Sequence, residues 1–285
     1  MKIGLMVFQS DTSLDPVVLA KRAEDVGFES FFVPEHIFIP VHSTSQAYRR
    51  DASEGIPESY AHIIDPFMAL ARASAVTSKI KLGTGICLVP EHNPLMLAKQ
   101  VATLDRASGG RFIFGVGAGW LQEETEIMGG DFPHRWTQVK DSVLAMKELW
   151  SKDEAEYHGR YYDFPPVRSN PKPVQKPHPP IFLGGSAKNV FKRVVEWGDG
   201  WMPALPSLAE LEQGRGKLNE LASKAGRDPS SIEIHAFGRP GQFRDKDAIN
   251  DLAHAGADRV TVWLQQTEGV TALAEIDEIA RLVLS

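Results

Sequence analysis

The sequence predicts an α/β fold, a (β/α)8 TIM barrel, and three observations carry that prediction. Short apolar, β-branched or aromatic runs recur along the 285 residues, each followed by a stretch of helical period. The runs are apolar throughout rather than alternating, as strands read when a parallel sheet is covered on both faces. Eight such strand–helix units can be counted, the number that closes a barrel, and the count stands against an open doubly wound sheet. A single barrel domain over residues 1–285 is expected, since α/β barrels of this length are ordinary.

The first strand is expected over Lys2–Phe8. The first helix follows over Asp15–Gly27, with Asp15 as N-cap, Pro16 opening the first turn and Gly27 stopping it. The second strand is Glu29–Glu35, and a helix runs from Asp65 to about Thr77. Ile80–Val89 is the third strand, and the helix Asn93–Ser108 leads to the fourth, Arg111–Val116. Helices near 121–128 and 134–150 come next. Pro180–Gly184, Gly200–Pro203, Ser231–Phe237 and Arg259–Leu264 are the remaining strands. The helices between and after them end near Trp197, Ala225, Ala255 and Leu284. Two insertions break the rhythm. Residues 36–64 follow strand 2, on the barrel face where active sites are built, and are expected to form a substrate lid. Residues 151–179 precede strand 5, are rich in proline, start at the opposite face and are expected to be mostly loop.

Charge and composition narrow the function. A formal net charge of -6 opposes a nucleic-acid or membrane-surface partner, both of which need a basic face. No apolar run approaches membrane-spanning length, and the N-terminal MKIGLMVFQ is too short for a secretory core. The single Cys87 fits a reducing compartment, and a cytoplasmic protein acting on a small molecule is expected.

The glycine pattern at 115–120, GVGAGW, raises the question of a dinucleotide fingerprint. Gly115, Gly117 and Gly119 alternate, and Trp120 stands where that fingerprint needs its last glycine. A strand end without alternate side chains admits either a flat ring or tight packing against its backbone. A second glycine site, PIFLGGSAKNVFKR, ends its strand at Gly184–Gly185 and places Ser186 as the expected N-cap of the next helix. Free backbone N–H groups and the helix dipole would make an anion site there.

These stretches together resemble the bacterial luciferase-like flavin and deazaflavin oxidoreductases. The resemblance is carried by LAKQVATLDRASGGRFIFGVGAGW (97–120), YYDFPPVRSNPKPVQKPHPPIFLGGS (161–186) and WGDGWMP (197–203). MKIGLMVF, VPEHIFIP and KLGTGICLVP also match. Within the superfamily the chain looks most like the group that uses coenzyme F420, a deazaflavin, while FMN-dependent relatives share most of the signatures. The resemblance implies a homodimer with the ring lying across the C-terminal mouth of the barrel. It implies a cis peptide bulge at the matching bond, Gly85–Ile86, behind the ring. It also carries ring-edge contacts to Gly117, Ala118 and Gly119, and a phosphate contact to Gly184, Gly185 and Ser186. The superfamily's sugar-phosphate dehydrogenase has a catalytic glutamate where this chain has Trp120, a departure that points away from that activity.

Glu35 and His36 are the catalytic candidates, because they end the second strand and a histidine can exchange a proton near neutral pH. Trp120 is expected to stack on the cofactor or wall the substrate pocket. His62, His92 and Arg49 are candidate substrate contacts. No metal is expected, for no histidine or cysteine spacing has ligand geometry. The expected function is hydride transfer between F420 and an organic substrate. The alternatives are an FMN-dependent monooxygenase on the same barrel and a non-catalytic flavin-binding protein.

Overall fold

The computed structural model describes residues 1–43 and 56–285. Eight parallel strands form the barrel: β1 (Lys2–Met6), β2 (Ser30–Val33), β3 (Lys81–Thr84), β4 (Phe112–Gly117), β5 (Ile181–Gly184), β6 (Gly200–Met202), β7 (Glu233–Pro240) and β8 (Arg259–Trp263). Neighbours pair in chain order, and β8 returns to β1 in register from Lys2↔Arg259 to Met6↔Trp263. Pairing of Leu82 with Phe112 and of Gly83 with Ile113 joins β3 to β4 and completes the ring. The helices are α1 (Pro16–Val26), α2 (Pro66–Ser74), α3 (Pro94–Ala107), α4 (Gln122–Ile127), α5 (Arg135–Ser151), α6 (Val190–Trp197), α7 (Leu208–Lys224), α8 (Lys246–His254) and α9 (Gly269–Val283).

Local chemistry sets the element ends. The Asp15 side chain accepts from Val17 N, and Gly27 closes α1 at φ +102°, a left-handed conformation that glycine adopts without strain. Ser207 and Glu210 form a reciprocal capping box on α7. The expected third strand Ile80–Val89 is interrupted. β3 ends at Thr84, the Gly85–Ile86 peptide is cis, and the chain resumes at Cys87–Leu88, paired with Val116 and Gly117 of β4. Residues 151–179 are also more ordered than expected, for they hold an antiparallel hairpin, Ala155–His158 with Asp163–Val167. Asp105, near the end of α3, accepts from the backbone of Val174 and Gln175 and ties this segment to the lower face.

The barrel interior has two kinds of filling. Low in the barrel, the buried Arg259 donates two 2.7 Å hydrogen bonds to Glu29. His235 stacks on Phe182 beside it, and burial pushes its value down to about 3, which keeps it neutral. Higher up, Met6, Phe32, Ile113, Phe182, Met202 and Phe237 pack together and support Ile86 and Trp263 from below. That apolar layer closes the barrel to water and forms the platform on which the mouth is built. Among the described residues no helix is long and apolar enough to cross a membrane.

Candidate active site

Above the platform a cavity of about 890 Å³ opens at the C-terminal ends of the strands. Its lining comes from every part of the rim: Met6 and Phe8 after β1, His36 after β2, Gly85 and Ile86 after β3, Gly117 to Trp120 after β4. Gly184 to Ala187, Met202, Phe237 and Trp263 complete the circuit. The volume falls within the ~300–1,000 Å³ typical of small-molecule and cofactor sites, so a tricyclic ring has room over Ile86.

The glycines of β4 stand where the sequence placed them, and at Gly115 and Gly117 the tight packing that was one of the two readings is present. A Cβ on Gly115 would lie 2.1 Å from the Thr84 carbonyl oxygen, and one on Gly117 would lie 1.9 Å from Ile86 Cδ1. A Cβ on Gly184 would also meet Ile86, at 2.7 Å. These three positions make space for the bulge itself, and Ile86, seated on them, forms part of the cavity lining. Gly119 and Gly185 differ, since both take positive φ, +75° and +83°, and turn the chain at the rim.

His36 is held at both ring nitrogens. Trp120 Nε1 can only donate, so its 3.2 Å contact makes His36 Nε2 the acceptor. The proton of the neutral ring is then on Nδ1, 2.6 Å from Glu124 Oε2. The Glu124 carboxylate is fully buried, and its other oxygen accepts from Ile37 N at 2.7 Å and Phe38 N at 3.3 Å. One carboxylate thus fixes the tautomer of His36 and the path of the chain just beyond it. Tyr60, from the 3-10 turn Glu58–His62, completes an aromatic cluster with its ring centroid 5.3 Å from His36 and 6.5 Å from Trp120.

Glu35 turns its carboxylate into the wall. One oxygen accepts from Leu88 N at 2.6 Å and the other meets His92 Nε2 at 3.0 Å. Burial opposes its charge, yet His92 and the Leu88 N–H outweigh burial and hold the carboxyl below its ordinary value. His92, also disfavoured as a cation by burial, is raised by the same pairing. Glu35, expected beside His36 as a catalytic residue, does line the cavity, with both of its oxygens bonded to the segment that follows the bulge. Cys87 joins this knot, with the thiol, Glu35 and His92 offering ligand atoms within 4.8 Å of one another. Burial and the Glu35 charge push the thiol well up, so with no cation beside it the thiol keeps its proton.

The other expected contacts are dispersed. His92 lies behind the wall, and His62 is exposed and paired with Asp11 at 3.1 Å, so neither contributes to the cavity lining. Arg49 lies outside the described residues. Ser186 lines the cavity but does not cap a helix. The chain turns through Ala187 to Asn189 first, α6 starts at Val190, and its N-cap Asn189 makes no side-chain cap bond. The anion site expected there rests on the turn backbone rather than on a helix end. Sequence reasoning missed Glu124, Tyr60, Arg135 and Trp136. The first had a signal, an acidic first turn right after the glycine loop, but its partner is 88 residues away.

Comparison with known proteins adds the family. The family model described as luciferase-like monooxygenase matches residues 10–281. An uncharacterized protein of Mycobacterium tuberculosis is 39% identical over 285 residues, covering 98% of each chain. The F420-dependent glucose-6-phosphate dehydrogenase of Amycolatopsis mediterranei is 30% identical over 66% of this chain and 52% of its own. The FMNH(2)-dependent dimethylsulfone monooxygenase of Pseudomonas putida is 36% identical over 56% of this chain and 44% of its own. Among solved structures, the coenzyme F420-dependent tetrahydromethanopterin reductase of Methanopyrus kandleri superposes with a TM-score of 0.80 at 20% identity, over 99% of this chain and 98% of its own.

Proposed function

We propose that this chain, which belongs to the luciferase-like monooxygenase family, is an oxidoreductase that moves a hydride between coenzyme F420 and an organic substrate, with His36 handling the accompanying proton. The observation that carries the reading is the His36 arrangement, in which a buried carboxylate fixes one ring nitrogen and leaves the other on the cavity wall against Trp120. When bound, the deazaflavin supplies a two-electron hydride acceptor or donor. The residues present fit it. Gly85 and Ile86 would back the ring, Gly117 to Trp120 would border it, and the Gly184–Ser186 turn would meet its phosphate.

The protein's own contribution is positional and protonic. A substrate carbon that loses or gains hydride must shed or take a proton at its oxygen. His36 Nε2 is the nitrogen able to exchange it, by leaving the Trp120 indole N–H. Glu124, on Nδ1, steadies the imidazolium that results. Glu35 acts through the chain, holding the Cys87–Leu88 segment against β4 so that Ile86 stays seated. Trp120 stands where the sugar-phosphate dehydrogenases carry a glutamate, so the substrate is read as something other than a sugar phosphate. FMN is the second reading for the cofactor, favoured by the 36% identity to the dimethylsulfone monooxygenase.

Titration of the purified protein with F420 and with FMN separates the two cofactors, and oxygen consumption with reduced FMN would favour the monooxygenase. For the residue, His36→Ala is expected to keep cofactor affinity within a few-fold while turnover falls about 10²–10⁴. Unchanged turnover would remove His36 from the mechanism.

A further inference from the structure

We propose that the aromatic side of the cavity selects the substrate, and that the substrate is a neutral alcohol or ketone with an apolar ring as its body. The inference rests on the hydride-transfer reading above and deepens it by naming the class of molecule that reaches His36.

Five side chains from separate parts of the rim form one arc: Trp263 at the end of β8, Phe8 after β1, Tyr60 on the 3-10 turn, His36 after β2 and Trp120 after β4. Phe8 stacks on Trp263 with ring centroids 5.3 Å apart and planes 12° apart, and it meets Tyr60 at 4.9 Å. Tyr60 lies 5.3 Å from His36, which lies 5.5 Å from Trp120 with planes 77° apart. Each neighbouring pair is within the range where aromatic rings attract. The arc is also fixed from behind. Trp263 rests on the apolar platform, and the turn that carries Tyr60 is stitched to the chain beyond Phe8. Ser10 and Ile63 form an antiparallel bridge, Asp11 N donates to the His62 carbonyl at 3.1 Å, and Ile64 N donates to the Gln9 carbonyl at 3.1 Å. The His62–Asp11 pair belongs to this seam.

Phe8, Tyr60, Trp120 and Trp263 are only partly buried, although all four line the cavity. Aromatic surface at an open cavity is stabilised when an apolar ligand covers it. The rest of the lining says what that ligand lacks. Among the described residues no Asp, Asn, Gln, Lys or Thr lines the cavity. The Glu35 carboxylate is engaged by Leu88 N and His92, and the Arg135 guanidinium by the Gly119 and Phe132 carbonyls. Ser186 sits in the turn after β5, and Arg239 is exposed at the rim. A polyhydroxylated substrate would leave hydroxyls unpaired in such a lining, which weakens binding. A molecule with one oxygen and an apolar ring suits it, for the ring covers the arc and the oxygen reaches His36 Nε2. In the oxidative direction the carbinol carbon gives up its hydrogen with both electrons, as hydride, to the oxidised cofactor. The hydroxyl proton passes to His36 Nε2 and the ketone remains.

The test has a binding arm and a turnover arm. Acetophenone is titrated by calorimetry, with and without F420, into the wild-type protein, Phe8→Leu, Trp263→Leu and Trp263→Phe, each checked by its melting temperature. Saturable binding is expected, with affinity about 10-fold lower in Phe8→Leu and Trp263→Leu and partly recovered in Trp263→Phe. With F420, kcat/KM for 1-phenylethanol should exceed that for 2-propanol by about 100-fold or more, and this ratio should drop about 10-fold in Phe8→Leu. No saturable binding of acetophenone, or binding that the arc variants leave unaltered, overturns the inference. Turnover of 2-propanol or glucose 6-phosphate as efficient as that of 1-phenylethanol also overturns it, while the hydride-transfer reading stands. Binding that the variants weaken, with no alcohol turned over, supports the arc as the binding site and refutes the hydride-transfer reading instead.

Discussion

Glu91 offers the sharpest test of the site's electrostatics, because its isostere Gln removes a titration and almost nothing else. The residue ends the short 3-10 turn Val89–Glu91, and its side chain is buried with only the Thr125 hydroxyl donating to it, at 3.1 Å. The second oxygen has no partner among the described residues. Burial, then the charges of Glu124 and Glu35, push its value from 4.5 up to about 9. The folded protein therefore keeps a proton on Glu91 at neutral pH, while the unfolded chain has released it. Between pH 4.5 and about 9 the unfolded state binds fewer protons than the folded one, so stability falls as pH rises across that window. Each pH unit inside it costs about 1.4 kcal/mol, which makes the loss about 3 kcal/mol at pH 7.

Glu91→Gln keeps the shape and the acceptor for Thr125 but has no proton to hold. The variant should be more stable than the wild type by about 2–3 kcal/mol at pH 7. In a chain of this size that raises the melting temperature by about 5–10 °C. The diagnostic is the pH dependence of the difference. Urea unfolding of both proteins at pH 5, 7 and 8 should show a gap that nearly closes at pH 5 and widens toward pH 8. A fixed cost of placing the amide, whatever its size, shifts all three values together and leaves the slope intact. A gap that is constant across the series would show that Glu91 does not hold a proton in the fold, and the account of this wall would fail.

Two further outcomes follow from the same geometry. In Glu124→Gln, a carbonyl oxygen kept on Ile37 N and Phe38 N turns the amide N–H₂ toward His36 Nδ1. That forces the ring proton onto Nε2, against the Trp120 indole N–H. Turnover should fall about 10²–10³ with little change in KM, and a variant with normal kcat would show that the tautomer is irrelevant. The β4 glycines should separate by what a methyl meets. Gly115→Ala runs into the Thr84 backbone oxygen and should cost about 3 kcal/mol or more. Gly117→Ala meets the movable end of Ile86 and should cost about 1–3 kcal/mol, as read by thermal unfolding. Equal costs would mean that Ile86 is as fixed as backbone.

What the chain reveals and what it hides divide along the distance over which partners act. The eight strands were legible because each is a buried apolar run with its own stop signals, and the caps at Asp15 and Gly27 are effects of adjacent residues. Ser186 shows the limit of such rules. A serine after two glycines suits a helix start, but the chain first makes a turn to Asn189 that no local pattern announces. His62 and His92 were read as site residues from their places in the lid segment and just after the third strand. Each is paired instead with a carboxylate more than fifty residues away in sequence, Asp11 at a separation of 51 and Glu35 at 57. The same reason hid Glu124, whose role exists only once α4 is packed against the end of β2.

The three buried acids at the cavity wall, Glu35, Glu91 and Glu124, show why such partners decide chemistry. All three sit at similar depth, so burial alone would treat them alike. The Glu35 carboxylate meets the Leu88 N–H and the His92 ring, and these outweigh desolvation. Glu124 accepts from two backbone N–H groups and faces the imidazole. Glu91 has one hydroxyl, and the charges of the other two acids press on it, so it is the acid that keeps a proton. Ionising it would leave a charge that no backbone N–H answers. The number of donors pointed at each carboxyl thus separates Glu91, which keeps its proton, from Glu124, which orients the imidazole. On the reading proposed above, that arrangement leaves His36 Nε2 as the group that exchanges the proton.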